Sequence, residues 1–211
     1  MNDMKKILYV DLDNVLVDFV SGINRTPVEL QKEHEGNLDD VPGIFALMDP
    51  MPGAIEAYKK LAEHFDTYIL STSPWANPSA LSDKLLWVKK YLGEVAYKRL
   101  ILTHHKNLNK GDYLIDDRTK NGASEFEGEL IQFGSEKFPD WKSVLNYLLP
   151  TKKYKIISSP LVGEGQSKEF IIEAATEDEA KTLGLKQLVE REGDDSLIDS
   201  PGQIMTVEEI K

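Results

Sequence analysis

The sequence contains no cysteine. That excludes a disulfide framework, a cysteine-ligated zinc site and a cysteine nucleophile. No apolar run approaches the roughly 20 residues that a membrane span needs. The opening MNDMKK leads straight into ILYV and then into acidic residues, an apolar stretch too short for a signal-peptide core. The expectation is a cytoplasmic protein with no membrane partner. Basic side chains are in the minority: Lys+Arg number 25 against 36 Asp+Glu, for a formal net charge of −11. This argues against a polymeric nucleic acid as partner, which calls for a basic face. It leaves room for a small phosphate ester, because a few local cations or a metal ion dominate a pocket. There is no internal repeat and no low-complexity tract.

The 211 residues, 41% of them apolar, suit one ordinary domain plus a small appendage. Five short apolar runs, 7–10, 68–70, 100–102, 113–115 and 130–133, read as strands, and several are apolar throughout, as in a parallel sheet covered on both faces. Helical patterns lie between them. One spans 54–65 after Pro52-Gly53. Another spans 79–92, with Leu81, Leu85, Val88 and Leu92 at three- and four-residue spacing and Gly93 at its end, a residue suited to a helix C-terminus. A third spans 140–149. The alternation implies a doubly wound α/β sheet, whose ligands bind beyond the carboxyl ends of the strands. An insert of about 30 residues, 20–50, follows the first strand. It is too long for a simple loop and is expected to fold over the site. Beyond residue 150 the pattern changes to β-β-α-β, with strands at 155–158, 170–173 and 204–207 and a helix at 176–190. Thr176 and Glu179 fit a capping box there. Residues 1–150 carry 17 basic and 23 acidic side chains and residues 151–211 carry 8 and 13. The acidity, −6 and −5, is shared rather than confined to a tail.

Four groups of residues carry chemistry. Asp11-Leu12-Asp13-Asn14-Val15 follows the first strand. Two carboxylates two residues apart at a strand end can enter one site, as hard-metal ligands or as a nucleophile and a proton donor. Ser71-Thr72-Ser73-Pro74 follows the second strand, where hydroxyls and free N–H groups suit phosphate oxygens. Lys106, in His104-His105-Lys106-Asn107, can neutralise a phosphoryl group. Asp116-Asp117-Arg118 follows 113–115; adjacent acids repel unless a cation lies between them, and a bound metal supplies one. Each group alone also suits a solvated turn. Together they fall beyond strand ends in one sheet and define a Mg²⁺-dependent phosphoryl-transfer site.

The ordered set resembles the haloacid dehalogenase (HAD) superfamily. ILYVDLDNV matches its hhhDxDx[TV] motif, and a strand ending in Ser/Thr, a lysine and an acidic pair follow in its order over about residues 5–149. Response-regulator receivers place their acidic pair first and their lysine last, unlike this chain. Within the superfamily, DLDNVLVDF, the stretch from Asp49 to Ala54, Thr72-Ser73-Pro74 and the spacing of Lys106 to YLIDDR resemble the 5′(3′)-deoxyribonucleotidases.

The resemblance implies a HAD-like, Rossmann-like parallel sheet with helices on both faces and a small cap after the first strand. It is joined by an α+β appendage, 151–211, for which that family offers no counterpart. It implies Asp11 as nucleophile and Asp13 as general acid and base. Mg²⁺ would be held by Asp11, Asp117 and the Asp13 carbonyl, with Asp116 buttressing Lys106. Phosphate would be held by Thr72, Ser73 and Lys106. Phe19 would line the nucleoside pocket. Phe45, the insert's one aromatic residue, and Trp75 suit pocket or core equally. The expected activity is hydrolysis of deoxynucleoside monophosphates through an aspartyl-phosphate. The thin aromatic content of the insert keeps a sugar phosphate or another small phosphate ester as an alternative. A reading of another class makes 151–211 an interaction or homo-oligomerisation module.

Overall fold

A computed structural model of the chain describes residues 5–160, 168–192 and 203–210. The chain divides into two compact units, Met1–Leu145 and Asn146–Lys211.

In the first unit the described elements run β1 (Ile7–Val10), β2 (Val17–Asp18), α1 (Phe19–Arg25), α2 (Val28–Glu33), β3 (Asp49–Pro50), α3 (Ala54–His64), β4 (Asp66–Ser71), α4 (Ser79–Tyr91), β5 (Leu100–Leu102), β6 (Tyr113–Asp116), β7 (Glu129–Gln132) and α5 (Trp141–Leu148), the last crossing the division. Five strands form one sheet in the order β5-β4-β1-β6-β7, and every pair is parallel. This is the expected α/β, Rossmann-like architecture. Consecutive residues Leu8, Tyr9 and Val10 of the central strand are all buried, which requires cover on both faces of the sheet. On one face Tyr9, Leu70, Leu114, Ala123 and Phe126 pack into a single cluster.

The insert after β1 folds as α1, α2 and two 3-10 turns, Leu38–Asp40 and Ile44–Leu47. Its ends are joined by the antiparallel pair β2–β3, with Val17 opposite Pro50 and Asp18 opposite Asp49. Asp18 also caps α1, accepting from the N–H groups of Val20 and Ser21 at 3.0 and 3.3 Å. These are donors that the helix itself leaves free.

Helix α4 forms where its spacing predicts, but its leucine stripe does not all face inward. Leu81, Leu85 and Leu86 are exposed, and the buried face is Ala80, Asp83, Lys84, Trp87 and Val88. A helix buries charged residues only where each finds a partner. Here Lys84 finds partners in the loop after β1 and at the end of β4, and Asp83 is met by Ser79 of the same helix.

The second unit contains β8 (Lys152–Pro160), β9 (Lys168–Ala174), α6 (Glu177–Glu192) and β10 (Gln203–Ile210), forming an antiparallel sheet in the order β10-β8-β9. Tyr154, Ile156, Ala174 and Ala180 form its buried cluster. At the start of α6, Thr176 Oγ1 accepts from the Glu179 N–H at 3.1 Å. Glu179 reaches back to the N–H of Ala175 at 2.8 Å, one residue earlier than in the usual capping box.

Candidate active site

The loop after β1 is built to present two acids. Asp11 donates its N–H to Ile115 O at 2.9 Å, which carries the β1–β6 pairing one step past the strand. The Leu12 carbonyl then accepts from Val15, Leu16 and Val17 at 3.2, 2.9 and 2.8 Å, and Asn14 N–H donates to Val17 O at 2.8 Å. This tight reversal places Asn14 at φ +57°, a conformation that asparagine tolerates better than most residues. Asp11 and Asp13 are both buried at the carboxyl end of the sheet.

Lys106 is also buried and lies between two of the acids. Its Nζ is 3.1 Å from Asp11 Oδ1 and 2.5 Å from Asp116 Oδ2. The second Asp116 oxygen accepts from the Arg118 N–H at 2.9 Å. Burial alone would lower the Lys106 ammonium, but the charges of Asp11 and Asp116 outweigh it and hold its pKa up. Burial and the Asp11 charge push Asp116 up, against Lys106. Asp117 is likewise raised, chiefly by burial.

Carboxylate oxygens of Asp11, Asp116 and Asp117 all lie within 4.8 Å of one another. Asp117 accepts from Asn14 Nδ2 at 3.2 Å through Oδ2, while its buried Oδ1 has no hydrogen-bond partner. That oxygen meets Arg118 Nε at 3.7 Å without a hydrogen bond; crowded acids favour a cation among them, and an all-oxygen donor set suits a hard divalent ion such as Mg²⁺. The residues present therefore fit the expected metal.

Thr72 and Ser73 follow β4, beside β1. Thr72 Oγ1 donates to Thr103 O at 3.1 Å. Ser73 Oγ is buried without a hydrogen-bond partner. The sequence reading missed Lys84. From the buried face of α4 its ammonium donates to Asp13 Oδ2 at 2.6 Å, Thr72 O at 2.8 Å and Ser71 Oγ at 3.1 Å. It also lies 4.5 Å from the centre of the Phe45 ring. The signal in the sequence was a lysine sharing a helix face with Ala80, Trp87 and Val88. Burial pushes the Asp13 carboxyl above the usual range, with Lys84 opposing it. Asp13 Oδ1 remains buried and unpartnered.

A cavity of about 320 Å³ opens beside these groups, lined by Asp13, Asn14, Phe19, Gly36, Leu38, Asp39 and Arg118, within the usual range for small-molecule sites. Phe19, from the start of α1, is among the residues lining it. Two other aromatic residues do not line this cavity. Phe45 is 2% exposed and belongs to the core, packed edge-on against Phe19 and committed to Lys84. Trp75 is 91% exposed and meets His104 edge-on. The cap supplies Leu38 and Asp39 instead.

An α/β sheet with acids, hydroxyls and lysines gathered at its carboxyl edge defines a phosphoryl-transfer enzyme. Residues 37–142 match the family described as 5′ nucleotidase, deoxy (pyrimidine), cytosolic type C protein; this stretch holds Thr72, Lys84, Lys106, Asp116 and Asp117 and begins after Asp11 and Asp13. The chain is 60% identical over 149 residues to a protein of Vibrio phage KVP40 named "Putative 5′(3′)-deoxyribonucleotidase", covering 71% of this chain and 88% of the relative. Proteins of the same name from Staphylococcus epidermidis RP62A and Staphylococcus aureus Mu50 are 30% and 31% identical, over 68% and 69% of this chain and 96% of each relative. The chain belongs to this 5′-nucleotidase family and is a phosphoric monoester hydrolase. Among the described residues, no helix is long and apolar enough to cross a membrane.

Proposed function

We propose that the enzyme is a Mg²⁺-dependent phosphatase of deoxyribonucleoside monophosphates that works through an aspartyl-phosphate on Asp11. The observation carrying this reading is the buried Asp11 carboxylate, 3.1 Å from the Lys106 ammonium at the end of the central strand. The names of the relatives support the substrate class.

An Asp11 oxygen attacks phosphorus, the bond from phosphorus to the sugar oxygen breaks, and Asp13 delivers a proton to that oxygen. Asp13 then takes a proton from water, whose oxygen attacks the phosphoryl group; phosphate departs and Asp11 is restored. Lys106, Thr72 and Ser73 hold the phosphoryl oxygens, and Asp116 orients Lys106. Lys84 fixes one Asp13 oxygen and leaves the other, unpartnered oxygen for the proton transfers. Asp11, Asp117 and the Asp13 carbonyl would hold Mg²⁺, which supplies charge neutralisation at the phosphoryl oxygens.

Purified Asp11→Asn protein tests the mechanism: phosphate release from deoxynucleotides should fall to background, and surviving activity would overturn it. A second reading, a phosphatase of small sugar phosphates, is favoured by one observation: among the described residues, Phe19 is the single aromatic one lining the cavity, which leaves little surface for stacking a base. A substrate panel of deoxynucleotides, ribonucleotides and sugar phosphates with Mg²⁺ separates the two.

A further inference from the structure

The roof of the cavity is made by Leu38 and Asp39, on the short 3-10 turn Leu38–Asp40. A turn of this length has few hydrogen bonds of its own with which to hold a fixed height above the catalytic loop. Something outside it must do so. The side chain of Asn77 does. It is fully buried, just ahead of α4, and its amide nitrogen donates to both Asp39 O and Val41 O at 2.9 Å. Both amide protons are therefore spent on the roof segment. The amide oxygen accepts from Ser79 Oγ at 2.8 Å. Ser79 Oγ also lies 3.0 Å from Asp83 Oδ2, so its one proton serves two acceptors, and it accepts in turn from the Gly43 N–H at 2.8 Å. Three residues of the insert, Asp39, Val41 and Gly43, are thus reached from one helix end, and Trp87 Nε1 adds a further bond from α4 to Met48 O at 3.1 Å.

The same helix holds the chemistry. Lys84, one residue after Asp83, grips Asp13. The roof and the catalytic acid are hence hung from a single rigid element. We propose that Asn77, seated by Ser79, is the positioning residue that sets the roof over Asp13, and so determines which phosphate esters the cavity accepts. Asn77 does not line the cavity; it acts through the backbone of Asp39 and Val41. A ligand large enough to reach Leu38 and Asp39 feels the clasp, and a phosphate ester confined to the catalytic loop does not. The inference rests on the phosphatase reading given above and names a determinant of its specificity.

Asn77→Asp keeps the size and the acceptor for Ser79, but replaces the two donors facing Asp39 O and Val41 O with an acceptor. Ser79→Ala removes the seat, and Ser79→Thr restores a hydroxyl. Two readouts are taken with the full chain and Mg²⁺. In steady-state kinetics, KM for a deoxynucleoside monophosphate should rise about tenfold or more in Asn77→Asp, as misplaced binding groups and lost buried hydrogen bonds imply. kcat/KM for the small acyl phosphate acetyl phosphate, which is confined to the catalytic loop, should stay within about twofold, because positioning of the reacting groups is unchanged. Ser79→Ala should follow Asn77→Asp in direction, and Ser79→Thr should recover. In amide hydrogen exchange, read without substrate, residues 38–43 should lose protection in Asn77→Asp while β1 and β6 keep theirs. Equal losses on both substrates, or unchanged protection over 38–43, would overturn the proposal. Should the parent enzyme hydrolyse acetyl phosphate but no nucleotide, the substrate reading fails by itself, and the exchange result still decides whether Asn77 holds the roof.

Discussion

Lys84 Nζ lies 2.6 Å from Asp13 Oδ2, although 71 residues separate the two in the chain. The lysine is 2% exposed and Asp13 is 8% exposed. A buried charge pair of this kind is sensitive to the loss of either member, because the survivor is left without compensation. It follows that Lys84→Met should destabilise the protein by about 3 kcal/mol, read as a shift in the urea midpoint. Combined with Asp13→Asn the loss should be smaller than the sum of the two single changes, by about 1 kcal/mol or more. Strict additivity would show that the pair contributes nothing as a pair.

Chelation should abolish activity, and Mg²⁺ should restore it. The cluster of Asp11, Asp116 and Asp117 also predicts a stability effect. Mg²⁺ at a hundred times its dissociation constant should stabilise the fold by about 2.7 kcal/mol, seen as a rise in Tm. Asp117→Asn should diminish that rise, since it removes the charge of the carboxylate whose Oδ1 has no other hydrogen-bond partner. A Tm that does not respond to Mg²⁺ in the unaltered protein would count against the metal site.

Gly128 sits where β7 starts to pair with β6. A Cβ placed there would lie 2.5 Å from Gly111 O and 2.6 Å from Asp112 O. Both are backbone atoms, which cannot swing aside as a side chain would. Gly128→Ala should therefore cost about 2 kcal/mol through overpacking, measured by denaturant unfolding. A neutral effect would mean that the β6–β7 edge yields more readily than its hydrogen bonding implies.

Every candidate catalytic and metal-binding residue lies before position 146, in the first of the two compact units. A chain of residues 1–150 should therefore release phosphate within about twofold of the full-length rate, as expected of an independently folding unit. Size-exclusion mass of both proteins checks the assembly role of the remainder. A loss of oligomer on truncation would assign that role to 151–211, whereas an unchanged state would remove it.

The sheet was legible because its strands are short, apolar and separated by strong turn signals. The ends of β1 and β5 fall where the apolar runs end. The acids were legible because they cluster at strand ends, and no fold places four of them there by hydropathy alone. Lys84 was not, because a helix pattern identifies its leucines and says nothing of which face meets polar partners. Leu81 and Leu85 carry the periodicity yet lie exposed, while Lys84 and Asp83 lie buried, since Asp13, the end of β4 and Ser79 supply them with polar partners. Phe45, which the sequence leaves open between pocket and core, lies buried in the core. Its ring is the floor beneath Lys84, a contact between segments 39 residues apart that no local pattern contains.

The closed neck of the insert, where Val17 faces Pro50 and Asp18 faces Asp49, makes the roof an exchangeable part. The chain leaves the catalytic loop and returns to it through one short ladder, so the distance between those two ends stays the same whatever lies between. Lengthening or replacing the segment beyond the neck costs little in loop entropy and leaves Asp11 and Asp13 where they are. New substrate preferences are thus open to this scaffold by splicing at a single place, provided the replacement keeps an apolar floor beneath Lys84 where Phe45 now lies and offers backbone carbonyls for Asn77 to grasp.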